Sequence, residues 1–166
     1  MGITVFTSAP VLAGEEQRSR IVRTSGILAI AQDPDFQTIV DTAKRSFKMS
    51  IVAITVMLDD WQHIVVSDGL ETGVYNRRTS FCGHAIGDAA PIFCVPDASD
   101  DARFADNPWV QGENGVRFYA GAPLVVDDVP IGTLCLVDHV PRADFSPADR
   151  ALLRTMADRV VALLPD

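Results

Sequence analysis

The chain has 166 residues, 48% of them hydrophobic, which fits one compact domain with a buried core. Its formal net charge is −8, and its basic residues form no run longer than Arg77 and Arg78, so we expect no nucleic-acid partner. No apolar run reaches the length of a membrane span, and no basic-then-apolar leader opens the chain. We therefore expect a soluble, cytoplasmic protein without a membrane partner.

The cysteines argue against a disulfide framework and against a metal site. Cys82, Cys94 and Cys135 are odd in number and contain no CxxC pair, so reduced thiols are expected. A metal site built from Cys82, His84 and Cys94 would lack a clear fourth ligand. We predict no metal and no cofactor.

The first half of the chain predicts two helices and a hairpin. Residues 1 to 14 show no periodicity and are expected to form a mobile tail, with the domain covering 15–166. A first helix is predicted from Glu15 to about Ala31, and a second begins with Asp33 as N-cap and Pro34 as its first residue. Strands are predicted at 51–58 and 61–67 around a turn at 59–60.

The second half predicts a short helix, a long loop, another hairpin and a closing helix. We expect irregular structure over 68–88 with a helical piece near 81–86, then a brief strand at 91–95. A polar loop over 97–115 is expected to carry function, because loops commonly do. The second hairpin is predicted at 116–126 and 129–137.

The closing helix is predicted to begin with Ser146 as N-cap and Pro147 as its first residue, and to run to about Leu164. Its apolar stripe is wider than one packing surface needs, which predicts a partner helix. The stripe comprises Leu152, Leu153, Met156, Val160, Val161, Leu163 and Leu164. The order of elements predicts an α+β domain with an antiparallel sheet flanked by helices.

A set of motifs in the second half resembles a known family. They are SFCGHAI at 80–86, VPDA at 95–98, DARF at 101–104, DNP at 106–108, RFYAGAPL at 117–124 and IGTLCLVD at 131–138. Their order and spacing resemble the GAF domains of bacterial histidine kinases and diguanylate cyclases. The similarity extends over about Glu15 to Leu164.

The resemblance implies an α+β, GAF-like (PAS-like) fold: a central antiparallel six-stranded sheet, N- and C-terminal helices on one face and a loop-covered pocket on the other. It also implies a sensor in bacterial signal transduction rather than an enzyme, acting as a stand-alone module on an unknown small molecule. It further implies a homodimer through the first and last helices, and relay to a separate kinase or cyclase. Two alternatives stay open, a free methionine-(R)-sulfoxide reductase-like enzyme using cysteine thiols and a purely structural dimerisation module.

The candidate ligand contacts are polar or aromatic residues in or beside the loop and on the neighbouring strand. They are Cys82, His84, Asp97, Arg103, Phe104, Asn107, Arg117, Tyr119 and Asp138. Arg117 and Tyr119 alternate with apolar residues, which predicts a polar sheet face, and an anionic or amide-bearing ligand would suit Arg117.

Each candidate also has a simpler explanation. Cys82 could be a buried core residue and His84 a hydrogen-bonded one, while Asp97 and Arg103 could tie the loop to itself. Arg117 could be held by an internal carboxylate such as Asp97 or Asp138. No Cys-His dipeptide occurs, so neither bilin nor haem is indicated, whereas cyclic nucleotides stay open as ligands.

Overall fold

A computed structural model describes residues 6–88 and 90–165. The first five residues of the predicted tail and Asp166 lie outside the described residues. The helices are α1 (Glu15–Thr24), α2 (Pro34–Phe47), α3 (Phe81–Gly87) and α4 (Pro147–Ala162), with 3₁₀-helices at Ile27–Gln32 and Ala98–Asp100. The strands are β1 (Ile51–Leu58), β2 (Trp61–Asp68), β3 (Gly73–Asn76), β4 (Phe93–Val95), β5 (Phe118–Val126) and β6 (Val129–Asp138). No helix among the described residues is long and apolar enough to cross a membrane.

The predicted six-stranded antiparallel sheet is confirmed, with the order β3-β2-β1-β6-β5-β4. The β5–β6 turn uses Asp127 and Asp128, both with positive φ (50° and 65°). A two-residue turn with both central residues in this region matches the twist of the strands it joins. The turn therefore fixes the pairing of the two strands that form the centre of the site.

Alternate residues of the central strands pack into two separate hydrophobic clusters, one on each face of the sheet. Val52, Ile54 and Val56 of β1 pack with α1, α2 and α4 on one face. Ala53 and Met57 lie on the other face, beneath α3 and the loop that follows β4. The predicted arrangement of terminal helices on one face and loops on the other is therefore confirmed, because strand side chains alternate between faces.

Local signals set the helix boundaries where the sequence predicted them, with one exception. Asp33 caps α2, and Ser146 and Asp149 form a capping box at the start of α4. The first helix ends at Thr24 rather than near Ala31, because Gly26 adopts a left-handed conformation (φ 79°) and a 3₁₀-helix follows.

Two strand predictions are corrected by the structure. β3 (Gly73–Asn76) lies in a segment that was predicted to be irregular. The sequence carries no strand signal there because three of the four residues are exposed and show no apolar alternation. β4 begins at Phe93 instead of Pro91. Before α1, residues 6–14 carry no helix or strand, but the Thr7 and Ala9 amides donate hydrogen bonds to the Arg103 and Arg78 carbonyls (both 3.0 Å).

Candidate functional site

A small cavity lies on the sheet face opposite the long helices, between β1, β2, β5, β6, α3 and the 97–115 loop. We call it the Cys82 cavity; its volume is about 70 Å³. Fourteen uncharged residues line it: Ile51, Ala53, Thr55, Gln62, Ile64, Leu70, Ser80, Phe81, Cys82, Trp109, Val116, Tyr119, Cys135 and Val137. A volume of this size holds a few water molecules or a compact organic group.

Cys82 is the second residue of α3, and Ser80 positions that helix against the cavity. The Ser80 hydroxyl accepts a hydrogen bond from the Gly83 amide (3.0 Å) and donates one to the Arg77 carbonyl (2.7 Å). Ser80 therefore acts as the N-cap and also joins α3 to the preceding turn. The thiol of Cys82 is held in the cavity wall by this local geometry.

The sulfur of Cys82 is surrounded by hydroxyl groups from three strands. Tyr119 Oη donates a hydrogen bond to Cys82 Sγ at 3.1 Å, and Thr133 Oγ1 donates another at 3.2 Å. Thr133 Oγ1 also lies 2.9 Å from Thr55 Oγ1. Since each hydroxyl has a single proton, Thr55 must donate to Thr133 when Thr133 donates to the sulfur. The arrangement favours a sulfur that accepts hydrogen bonds.

These contacts perturb the ionisation of the residues around the sulfur. Burial raises the pKa of Cys82, but the hydrogen-bonding groups around the sulfur, Cys135, Thr133 and Tyr119 among them, outweigh it and lower that pKa to about 7. The hydrogen bond to Cys82 and burial raise the pKa of Cys135 well above its usual range. Burial and the neighbouring cysteines raise the pKa of Tyr119 as well. Cys82 is therefore the thiol that ionises first in this pair.

Gly121 makes room for the Tyr119 side chain to reach the sulfur. A Cβ at position 121 would lie 2.3 Å from Tyr119 Oη and 2.8 Å from Cζ. The phenol thus crosses over the glycine, within the same strand, to contact Cys82. Gly121 is needed here for close approach, since any side chain would displace the ring.

Gln62 supplies an unsatisfied acceptor in the cavity wall. The residue is 7% exposed, and its Oε1 is buried without a hydrogen-bond partner among the described residues. Leaving a buried amide oxygen unpaired costs about 1–3 kcal/mol. A bound molecule with an N–H or O–H group would remove that cost.

The roof of the cavity is the end of the 97–115 loop, held in place by polar residues. Asn107 Nδ2 donates to the Thr79 carbonyl (3.1 Å), and Asn107 Oδ1 accepts from the Trp109 amide (2.9 Å). Arg117 donates to the carbonyls of Val110 (2.6 Å) and Gly112 (2.9 Å). Among the described residues, Asn107 and Arg117 do not line the cavity; they hold the loop that bears Trp109.

Of the nine residues predicted to contact a ligand, Cys82 and Tyr119 line the cavity. His84 Nε2 donates to the Thr7 carbonyl (2.9 Å), and burial lowers the pKa of its imidazole. Phe104 is fully buried and stacks on Phe81 with ring centroids 4.3 Å apart. These contacts place His84 and Phe104 in the packing around α3.

The remaining charged candidates pair within the protein. Asp97 accepts from the Ser99 amide (3.0 Å), and Arg103 pairs with Asp101 (2.7 Å). Asp138 pairs with Arg142 (2.8 Å). The predicted polar face also needs correction: Arg117 precedes β5, and Tyr119, on that strand, is buried rather than part of an open polar surface.

Sequence analysis missed Thr55, Gln62, Thr133 and Cys135 as members of the site. A usable signal existed, because Thr55 and Thr133 are polar residues inside otherwise apolar strands that pair directly. Cys135 lies both in the core cluster and in the cavity wall. The long-range pairing of β1 with β6 is what brings these residues to Cys82.

Comparison with known proteins agrees with the fold and the motifs. The family model for the GAF domain matches residues 33–164, well over half of the chain. A cyclic di-GMP phosphodiesterase from Pseudomonas aeruginosa is 38% identical over 158 residues, which cover 95% of this chain and 27% of that protein. The chain thus spans about a quarter of the length of this relative.

Solved structures of other proteins share the fold, and two of them illustrate the likeness. The GAF domain of a phosphoenolpyruvate-protein phosphotransferase from Acinetobacter has a TM-score of 0.65 and 20% identity, covering 89% of this chain and 88% of that one. A type II free methionine-R-sulfoxide reductase from Thermoplasma acidophilum also has a TM-score of 0.65 and 20% identity, covering 82% and 93%. At this level of identity, the likeness concerns the fold alone.

Proposed function

Since this chain belongs to the GAF domain family, we propose that it is a regulatory domain that binds a compact, uncharged molecule in the Cys82 cavity. The observation that carries the proposal is the buried Gln62 side chain, which belongs to the wall of this cavity and whose Oε1 has no hydrogen-bond partner among the described residues. Binding sites combine an apolar lining with a few polar groups that orient the ligand.

The lining defines the chemistry of the ligand. Its aromatic and aliphatic residues favour an apolar body, and Gln62 favours one hydrogen-bond donor. The anionic ligand expected for Arg117 loses its support, because that guanidinium donates to loop carbonyls. With about 70 Å³ of space, the cavity suits a small amide or alcohol far better than a cyclic dinucleotide.

We further propose a place for the domain in signalling. Its relative from Pseudomonas aeruginosa is a cyclic di-GMP phosphodiesterase, and the match extends over nearly all of this chain. A domain that accounts for about a quarter of such a protein fits a regulatory role beside a catalytic unit. The output we propose is control of cyclic di-GMP turnover by ligand-dependent stabilisation of the domain.

Native mass spectrometry of the protein from its own host tests whether the cavity carries a molecule. A thermal-shift screen with short-chain amides and alcohols tests the predicted chemistry. A ligand present at 100 times its Kd stabilises a domain by about 2.7 kcal/mol. We expect an uncharged member of this panel to raise the Tm.

Matched variants locate the binding site. Gln62→Leu removes the acceptor and Ala53→Leu fills the cavity, so both should abolish the shift, whereas Gln17→Leu on the exposed surface should retain it. An equal shift in all three variants would place binding elsewhere. If no panel member shifts the Tm and no molecule is carried, the purely structural dimerisation module becomes the better account.

A further inference from the structure

Cys82 and Cys135 form a thiol pair in the wall of the Cys82 cavity. Cys82 belongs to α3 and Cys135 to β6, and both residues are 3% exposed. Cys82 Sγ lies 3.2 Å from Thr133 Oγ1, and Cys135 follows Thr133 by two residues on the same face of β6, so both thiols line the same cavity. We propose that this pair is an oxidation site, at which a small hydroperoxide converts the two thiols into a disulfide that joins α3 to the centre of the sheet.

The hydroxyl groups around the sulfur favour the reactive form of Cys82. A thiolate is the nucleophile in thiol oxidation, and donors directed at the sulfur stabilise its negative charge. Tyr119 Oη (3.1 Å) and Thr133 Oγ1 (3.2 Å) are such donors, and Thr55 supports Thr133. Hydrogen peroxide is small and uncharged, so it suits the volume and lining of the cavity.

The chemistry balances without any further reactant. The Cys82 thiolate attacks one peroxide oxygen and breaks the O–O bond; the other oxygen leaves as water or an alcohol after protonation, and Cys82 becomes a sulfenic acid. The Cys135 sulfur then attacks the Cys82 sulfur, and the hydroxyl leaves as water with the proton of the Cys135 thiol. The two thiols lose two electrons and two protons, and the peroxide is reduced.

Cys94 provides an internal comparison within the same chain. It lies on β4 between Phe93 and Val95, but it packs against the cluster on the helix face of the sheet, whereas Phe93 and Val95 belong to the opposite cluster. Burial raises the pKa of its thiol. The Arg150 guanidinium opposes that shift without reversing it. Among the described residues, Cys94 has no partner thiol in the cavity wall and none of the hydroxyl donors that contact Cys82.

The proposal does not depend on a ligand in the cavity, and the wild-type protein tests it directly. Purified protein is treated with hydrogen peroxide, denatured with an alkylating agent, and mapped by mass spectrometry. We expect a peptide that links Cys82 to Cys135, lost on treatment with dithiothreitol, while Cys94 is recovered alkylated. We also expect the free thiol of Cys82 to disappear about tenfold faster than that of Cys94 at pH 7.

Variants separate activation from simple burial. Cys94→Ser should leave the linked peptide intact, and Cys135→Ser should leave a Cys82 sulfenic acid that dimedone traps. Tyr119→Phe removes one donor, so the pH midpoint of Cys82 alkylation should rise by on the order of one unit. If Tyr119→Phe only disturbed the packing around Cys82, the rate of alkylation would change but its pH midpoint would not. Failure to find the linked peptide in wild type, or oxidation of Cys94 as fast as Cys82, would overturn the proposal.

Discussion

Replacing Glu15 with Gln removes the carboxylate that two arginines share at the start of α1. Arg77 contacts Glu15 Oε1 at 2.5 Å, and Arg18 contacts Oε2 at 2.6 Å. The Leu12 amide also donates to Oε1 (3.1 Å), and Arg18 donates to the Met57 carbonyl. Since the Arg18 side chain is 2% exposed, losing Glu15 leaves a buried guanidinium without its counter-charge.

The magnitude follows from the ionisation of Glu15. Burial raises its pKa, but hydrogen bonds from Arg77, Arg18 and the Leu12 amide outweigh burial and lower it from 4.5 to about 2. A shift of this size corresponds to at most about 3.4 kcal/mol of free energy of unfolding. Because a quarter of the side chain is exposed, screening reduces this figure. We expect Glu15→Gln to lower the free energy of unfolding by about 2 kcal/mol at pH 7.

The contribution of Glu15 to the free energy of unfolding should decrease as the pH falls. The folded-state pKa lies below the unfolded one, so the contribution of Glu15 is complete above about pH 4.5 and is lost as the pH falls towards 2. Wild type should therefore lose roughly 0.5 kcal/mol of this contribution between pH 7 and pH 4. The Glu15→Gln variant has no such contribution to lose, so the difference in free energy of unfolding between the two proteins should become smaller in acid.

Urea unfolding followed by circular dichroism at pH 7, 5 and 4 measures these free energies. Glu16→Gln is the matched control, because the Glu16 side chain is 94% exposed and 4.0 Å from Arg20, so its effect should stay within about 0.5 kcal/mol. Equal effects of the two substitutions at pH 7 would refute the reasoning. So would a Glu15→Gln effect that does not decrease between pH 7 and pH 4.

Two further predictions concern the roof loop and the helix face. Arg117→Ala removes charged donors from two loop carbonyls. It should therefore lower the free energy of unfolding by about 2 kcal/mol and speed hydrogen exchange over 107–115. Arg78 is exposed, and Arg78→Ala should do neither. Leu163 directly follows the last turn of α4 and is 36% exposed, so Leu163→Asp should convert the predicted homodimer to monomer in light scattering. Val125, which is 43% exposed on β5, is the control, and Val125→Asp should leave the dimer intact. A wild-type monomer at tens of micromolar would contradict the dimer.

The sequence by itself determined the elements whose signals are local. Ser146, Pro147 and Asp149 predicted the start of α4, and Asp33 with Pro34 predicted the start of α2, because capping depends on residues three or four apart. The two hairpins followed from β-branched runs around Asp-Asp turns. The spacing of the motifs from Ser80 to Asp138 indicated the family and, with it, a pocket on the loop side of the sheet.

Contacts between distant segments decided the site itself. Arg117 was predicted to contact a ligand, with an internal carboxylate as the alternative, but its guanidinium donates to loop carbonyls, since it binds whichever acceptor the folded loop brings near. Cys82 gains its donors from β5 and β6, at sequence separations of 37 and 51 residues. No periodicity within one segment encodes such a separation.

The tertiary structure also decided which side chains of β2 reach the cavity. A strict alternation from Trp61 would put Gln62, Ile64 and Val66 on one face. The pairing with β1 instead shifts register between Ile54 and Thr55, so Ile64 packs in the cavity cluster and Val66 in the helix cluster. The extra residue of this bulge reverses which side chains of β2 face the cavity beyond it. The position of the bulge depends on the partner strand rather than on β2 alone.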